Sequence, residues 1–402
     1  MILGVNVFYY PRSMIVLFPY MARWNSANTS RYYHLFNKIA DAGRTVIVVQ
    51  PPPKVSEETN YIDLPMKEHP NIKIHTVKIQ KGLWNCHFPL EKFIKKTFYT
   101  VFSFFFIKKM VNEYRPDVLV IYNLPQFIYT YIDIPIVFDY ADGYISMMSH
   151  ELGVRQSNVL CKLGQFLLDQ IIKKSSLVTS VSSLLNDKIN HSNKFLLPNG
   201  ADITKEMDDK TTLHIDKNKP VIGYVGAFEY FIDLELMLNA AAAMPQYVFL
   251  LVGAGRDYSW VKDEVLNKKL NNVILTGAVP HKQAMQFIRE MDICLNLFKK
   301  SNVSHAASPI KLFEYLAKER PVITTRLNEV ERLDPDSRIF YYADTLNELT
   351  ASVEMILNNS VLATEKVRRG IELINSGFNW DNIGKIFVHQ IEMLEHKSSS
   401  AL

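Results

Sequence analysis

In "SPIKLFEYLAKERPVITT", residues 308–325, a polar lead of Ser308 and Pro309 is followed by Lys311, Glu314 and then an apolar strand. Residues three apart share one face of a helix. Lys311 and Glu314 therefore read either as a surface ion pair worth about 0.2–0.5 kcal/mol or as two groups offered to one ligand. Three apolar runs upstream end in glycine, at Gly226 in "GYVGAF", Gly253 in "LVGAGR" and Gly277 in "LTGAVP". A glycine at a strand end serves as a turn or lets the backbone approach a phosphate or sugar closely. In the other half of the chain, Asp139 and Asp142 close the run "IPIVFDYAD". An aspartate there is either a turn residue or a base aimed into a cleft. Arg23, Asn25, Arg31 and His34 crowd the first loop and helix, as solvated surface or as groups that orient an anionic or hydroxylated ligand.

Other chemistries are poorly served. "GAGRDY" has Tyr258 where a dinucleotide fingerprint needs its third glycine, and it does not open the first strand-turn-helix unit. No P-loop pattern occurs. "DPD" at 334–336 reads as a turn and not as a metal motif. Cys86, Cys161 and Cys294 lie far apart with no paired spacing, which fits a reducing compartment and argues against a disulfide framework or a zinc site.

The elements that would position these residues follow from hydrophobic patterning. A chain of 402 residues with 48% hydrophobic and 21% charged content exceeds what one core usually sustains, so two domains are expected. A balance of 45 basic to 41 acidic residues, +4, gives no general case for nucleic acid. Continuous apolar runs at 13–18, 45–50, 117–122, 134–140 and 176–181 alternate with helical segments such as "RYYHLFNKIADA" and read as buried parallel strands. Hydrophobicity collapses over 196–220 and the alternation then restarts, with strands expected at 221–228, 247–255, 272–279, 292–298 and 321–325. Ile383, Ile386, Phe387, Ile391 and Leu394 follow at helical spacing, so the last helix is amphipathic and must pack on something.

The apolar start of the chain is broken by Pro11 and Arg12 and does not read as a signal peptide. Residues 92–110, "KFIKKTFYTVFSFFFIKKM", set aromatic residues between lysines with no acid among them. This helix either lies on an anionic membrane surface or is buried with its lysines reaching to water.

Taken in order, "SSLVTSVSSLLNDKI…FLLPNGAD", "VIGYVGAFEYFIDLELM", "FLLVGAG", "NVILTGAVPHKQAMQFIREMDICLNLF", "SPIKLFEYLAKERPVITT" and "FNWDNI" resemble GT-B glycosyltransferases of the family 4 type. The resemblance is nearest to bacterial surface-polysaccharide enzymes of the teichuronic-acid kind and more distant to xanthan-type glucuronosyltransferases. It implies that Glu314 holds the ribose hydroxyls of a nucleotide-sugar. It also implies that Lys311, with the helix N-terminus after Pro309, faces the diphosphate. Gly226, Gly253, Arg256, Gly277, Val279 and Ser308 would complete the donor site, and Arg23, Asn25 and Arg31 would bind the acceptor. Three positions depart from the family. Ala306 stands where a first glutamate would contact the donor sugar, leaving His305 or Ser308 in its place, and Glu229 and Asp233 stand where a basic pair is usual. Asp142 is the candidate base for the acceptor hydroxyl, with Asp139 second.

The resulting expectation is an α/β protein of GT-B architecture, with two Rossmann-like doubly wound domains facing across a cleft. An acceptor domain spans 1–196, a linker 197–217, a nucleotide-sugar domain 218–376, and a helix at 377–397 returns to the first domain. The expected reaction moves a sugar from a nucleotide-sugar to a hydroxyl of a lipid-linked or oligosaccharide acceptor, without cofactor or metal. Its expected place is the cytoplasm, at the inner face of the cell membrane if residues 92–110 touch it. The rival readings are a nucleotide-sugar epimerase and a non-catalytic sugar-nucleotide or lipid-binding protein.

Overall fold

The continuous apolar runs form two parallel sheets, each covered by helices. The computed structural model describes residues 13–24, 30–52, 69–79, 91–203 and 218–399. The first sheet comprises β1 (Ile15–Pro19), β2 (Thr45–Gln50), β3 (Ile72–Thr76), β4 (Val118–Ile121), β5 (Ile136–Tyr140), β6 (Leu177–Ser180) and β7 (Lys194–Leu196), in the order β3-β2-β1-β4-β5-β6-β7. The second comprises β8 (Val221–Val225), β9 (Val248–Val252), β10 (Val273–Leu275), β11 (Ile293–Asn296), β12 (Val322–Thr324) and β13 (Tyr341–Tyr342), in the order β10-β9-β8-β11-β12-β13. In both sheets the strand order reverses beside the first strand, between β1 and β4 and between β8 and β11. That is where open parallel sheets take ligands, beyond the strands' carboxyl ends.

The first domain carries α1 (Arg31–Asp41), α2 (Glu91–Tyr114), a 3-10 segment (Leu124–Tyr131), α3 (Tyr144–Glu151), α4 (Val159–Lys174) and α5 (Ser183–Lys188). The second carries α6 (Leu234–Ala243), α7 (Tyr258–Asn267), α8 (His281–Glu290), α9 (Asn302–His305), α10 (Ile310–Ala317), α11 (Asn328–Leu333), α12 (Leu346–Asn358) and α13 (Ser360–Ser376). The final helix is α14 (Trp380–Ser399). Local chemistry sets their ends: Ser30 caps α1 by accepting the Tyr33 N–H at 3.3 Å, and Gly43 with φ +78° follows the helix.

The amphipathic α14 packs on the first domain, where Trp380, Ile383, Phe387, Ile391 and Leu394 join a core with Phe18 and Phe36. Ile386, expected on the same face, is 40% exposed. Two ion pairs pin the helix to the α1 region, Lys38 to Asp381 at 2.5 Å and Arg44 to Glu392 at 2.6 Å. The edge strands β3, β7 and β13 were not expected from the sequence. They are short or half-exposed and lack a continuous apolar run. Asn25, the first 12 residues and residues 204–217 of the expected linker lie outside the described residues.

Candidate functional site

A cavity of about 580 Å³ opens between the domains at the carboxyl ends of β8 and β11. Its second-domain wall is built largely by α10. Leu312, Phe313, Tyr315 and Leu316 of that helix are buried in the core, and Lys311 and Glu314 occupy the remaining face, toward the cavity. Ser308, Pro309 and Ile310 line the same wall, so the N-terminus of the helix, with the Ile310 and Lys311 N–H groups that have no intrahelical partner, faces the cavity.

Lys311 donates to the Tyr224 hydroxyl at 2.7 Å, and its ammonium lies 4.3 Å from that ring's centroid. Burial pulls its pKa down to about 7, against a smaller upward pull from Glu314. Gly226 makes room for it. With φ +148°, a Cβ at this position would sit 2.6 Å from the lysine nitrogen. Gly253, φ +134°, also lines the cavity, and a Cβ there would meet the Gly226 carbonyl oxygen at 2.0 Å. Two strand ends therefore close on each other where only glycine fits. Gly277 pairs with Gly253 through the backbone just behind that wall.

Glu314 is engaged by a residue the sequence reading passed over. His281, the first residue of α8, lines the cavity and places Nε2 3.0 Å from Glu314 Oε1. The clue was its place at a helix start just after the glycine-bearing end of β10. Asn199 was missed as well. It lines the cavity, donates to the Ser308 carbonyl at 2.6 Å and accepts from Arg31 at 3.2 Å, tying the first domain to the loop before α10. Val279 lines the cavity too.

From the first domain, Asp142 reaches the cavity just before α3. The protein surrounding the cleft raises its pKa to about 6, with Asp139 adding to the rise and Lys96 and Arg31 opposing it. Asp139 does not share this position. It is fully buried, and its oxygens accept from Arg31 at 2.8 and 3.0 Å and from Thr179 at 2.6 Å. This corrects both sequence readings for the pair: a saturated carboxylate in the core is poorly placed as a base, and the Arg31 guanidinium is spent on Asp139, Pro198 and Asn199 and not offered to an acceptor. Arg23 is half-buried just after β1 and does not line the cavity.

Arg256 also departs from expectation. It does not line the cavity but bonds Glu151 of the first domain at 3.0 Å and Glu229 at 3.2 Å. Ala306 is 5% exposed and packs with the first domain's apolar core while lining the cavity, so a charged side chain there would be buried among apolar neighbours. Of its two expected stand-ins, Ser308 lines the cavity, whereas His305 accepts the Asn328 N–H at 3.3 Å.

Residues 233–388 match a family model described as glycosyl transferase-like. The match covers most of the second domain and runs into α14. A segment of 169 residues is 29% identical to a protein of Bacillus subtilis (strain 168) named as a teichuronic acid biosynthesis glycosyltransferase, TuaH, and covers 42% of each chain. The chain thus matches under half the length of that relative. Among solved structures, sucrose-phosphate synthase from Thermosynechococcus elongatus superimposes with a TM-score of 0.75 at 16% identity, over 97% of this chain and 100% of the other. Anabaena Alr3699/HepE, solved with UDP and glucose, gives 0.67 at 13% identity over 94% and 100%. These likenesses show the GT-B fold.

Proposed function

We propose that this protein is a glycosyltransferase that moves a sugar from a nucleoside diphosphate sugar to a hydroxyl of a lipid-linked or oligosaccharide acceptor, in the building of a bacterial surface polysaccharide or glycolipid. The observation that carries this reading is the cavity itself. It sets a lysine, a helix N-terminus and a carboxylate on one wall and an aspartate from the other domain opposite. The UDP and glucose in the Anabaena relative support the donor class.

In this reading Lys311 and the N–H groups opening α10 share the diphosphate's charge without a metal, and Glu314 accepts from the ribose hydroxyls. Asp142 takes the acceptor's hydroxyl proton as that oxygen bonds to the anomeric carbon. The bond from that carbon to the diphosphate oxygen breaks, and the electron pair leaves with the nucleoside diphosphate. A site set between two domains, with less water than the surface, strengthens each of these interactions.

Residues 92–110 contribute peripheral contact with an anionic membrane. No helix among the described residues is long and apolar enough to cross one. The test is a panel of nucleotide-sugars incubated with the protein, with and without a lipid-linked acceptor pool. Nucleoside diphosphate release that depends on acceptor is expected. Interconversion of the sugars without acceptor would replace this reading with an epimerase, and tight nucleotide binding without turnover of any donor would leave a binding protein.

A further inference from the structure

We propose that the first domain docks on an anionic bilayer through the outer faces of α2 and α4 together, which sets the groove between α3 and α9 at head-group level, where a lipid-anchored acceptor enters. The docking half stands by itself. The acceptor half rests on the glycosyltransferase reading.

On α2, Phe98, Val101, Phe102 and Phe105 are each half or more exposed, and their spacing places them on one stripe. The sequence gives no hint that α4 does the same, yet Val159, Leu160, Leu163 and Phe166 are exposed along it, Val159 by 74%. Both helices pack against the 3-10 segment, so they cover the same side of the sheet, and the exposed Tyr131 belongs to that segment. Apolar exposure on this scale marks an interaction surface.

The partner is chosen by charge. Lys108, Lys109, Lys162, Lys173 and Lys174 are exposed on these two helices, against Glu113 and Asp169. Lysines flanking inserted aromatic side chains suit anionic lipid head groups.

The groove follows from position. It has a volume of about 590 Å³, is walled by Ser149, His150 and Gln156 of the first domain and Lys299 and Asn302 of the second, and shares Phe231 and Val303 with the catalytic cavity. Gln156 is three residues before Val159, so the apolar stripe of α4 begins within roughly 11 Å of the groove's edge. At the other end of α3 stands Asp142. An acceptor with an apolar anchor would leave the anchor beside α4, lay its polar part in the groove and present a hydroxyl to Asp142. This commits the acceptor to the lipid-anchored class.

The full chain with Cys86→Ser, whose Cys161 and Cys294 are buried, is labelled with an environment-sensitive fluorophore at Phe102→Cys, Leu163→Cys, Asn302→Cys or Val361→Cys. It is mixed with vesicles of phosphatidylglycerol and phosphatidylcholine carrying nitroxide quenchers in the acyl or the head-group region. The labels at 102 and 163 should shift blue and be quenched from the acyl region, the label at 302 should be quenched only from the head groups, and the label at 361, on the second domain, should not respond. Leu163→Ser with Phe166→Ser should lower vesicle partition roughly tenfold. A label at 163 that stays aqueous overturns the role of α4, and a label at 302 that behaves like the one at 361 overturns the placement of the groove. Nucleotide affinity, measured on the same proteins, reports separately on the glycosyltransferase reading.

Discussion

His281 Nε2 and Glu314 Oε1 meet at 3.0 Å across the wall of the interdomain cavity, joining the first residue of α8 to the second turn of α10. The bond occupies one carboxylate oxygen and fixes the direction of the other. His281→Ala should therefore weaken nucleoside diphosphate binding roughly tenfold, the scale of one hydrogen bond to a charged group. His281→Gln, which keeps a donor, should recover part of it. Calorimetric titration reads both, and equal affinity in wild type and His281→Ala would show that the histidine does not orient Glu314.

Lys311 supplies a pH signature. Burial holds its pKa near 7, and an arriving diphosphate favours the ammonium, so binding takes up a proton and affinity falls as pH rises above 7. Titrations at pH 8 in buffers of different ionisation enthalpy should show that uptake in the wild type and lose it in Lys311→Met.

Asp142 makes opposite demands on activity and stability. Its pKa of about 6 predicts that transfer rises as pH climbs through 6, because the base must be ionised. A carboxyl whose folded pKa lies above its unfolded value favours the folded state at low pH, and that contribution is lost as pH rises through 6. Asp142→Asn should thus abolish transfer, leave nucleotide affinity unchanged and raise the melting temperature at pH 8, with the gain vanishing toward pH 4.

Arg31 and Asp139 should behave as structure. Truncating Arg31 to alanine leaves a buried carboxylate without its cation, a loss of about 3–5 kcal/mol in other buried pairs. Denaturant unfolding of Arg31→Ala measures it. Near-normal stability with lost activity would return Arg31 to the acceptor site.

Gly253→Ala tests the close approach of the two glycine turns. Its Cβ would fall 2.0 Å from the Gly226 carbonyl oxygen in a backbone conformation that side chains disfavour. The wall must shift, so nucleotide affinity should drop by roughly a hundredfold, about 2.7 kcal/mol, while far-UV circular dichroism stays native.

Much of this architecture was legible because buried parallel strands are written as unbroken apolar runs, as in "TVIVVQ" and "YVFLLVG". The face shared by Lys311 and Glu314 followed from helical spacing. What spacing does not carry is tertiary pairing. Nothing local distinguishes Asp139 from Asp142, three residues on, yet one faces into the core toward Arg31 and the other toward the cavity. Arg256 likewise gave no sign that its partner would be Glu151, more than a hundred residues away. His281 was read only as part of a helix, because its significance depends on α10 lying across from it.

The chain passes between the domains twice, once after β7 and again before α14, and the two passages are bonded side by side. The Ala201 N–H donates to Phe378 and the Trp380 N–H donates back to Ala201. Gly200 lets them touch, since a Cβ there would lie 2.7 Å from the Phe378 carbonyl oxygen. A body hung from one strand can swing in any direction. Hung from two joined strands it is held to one direction, which keeps Asp142 facing Lys311 across the cleft.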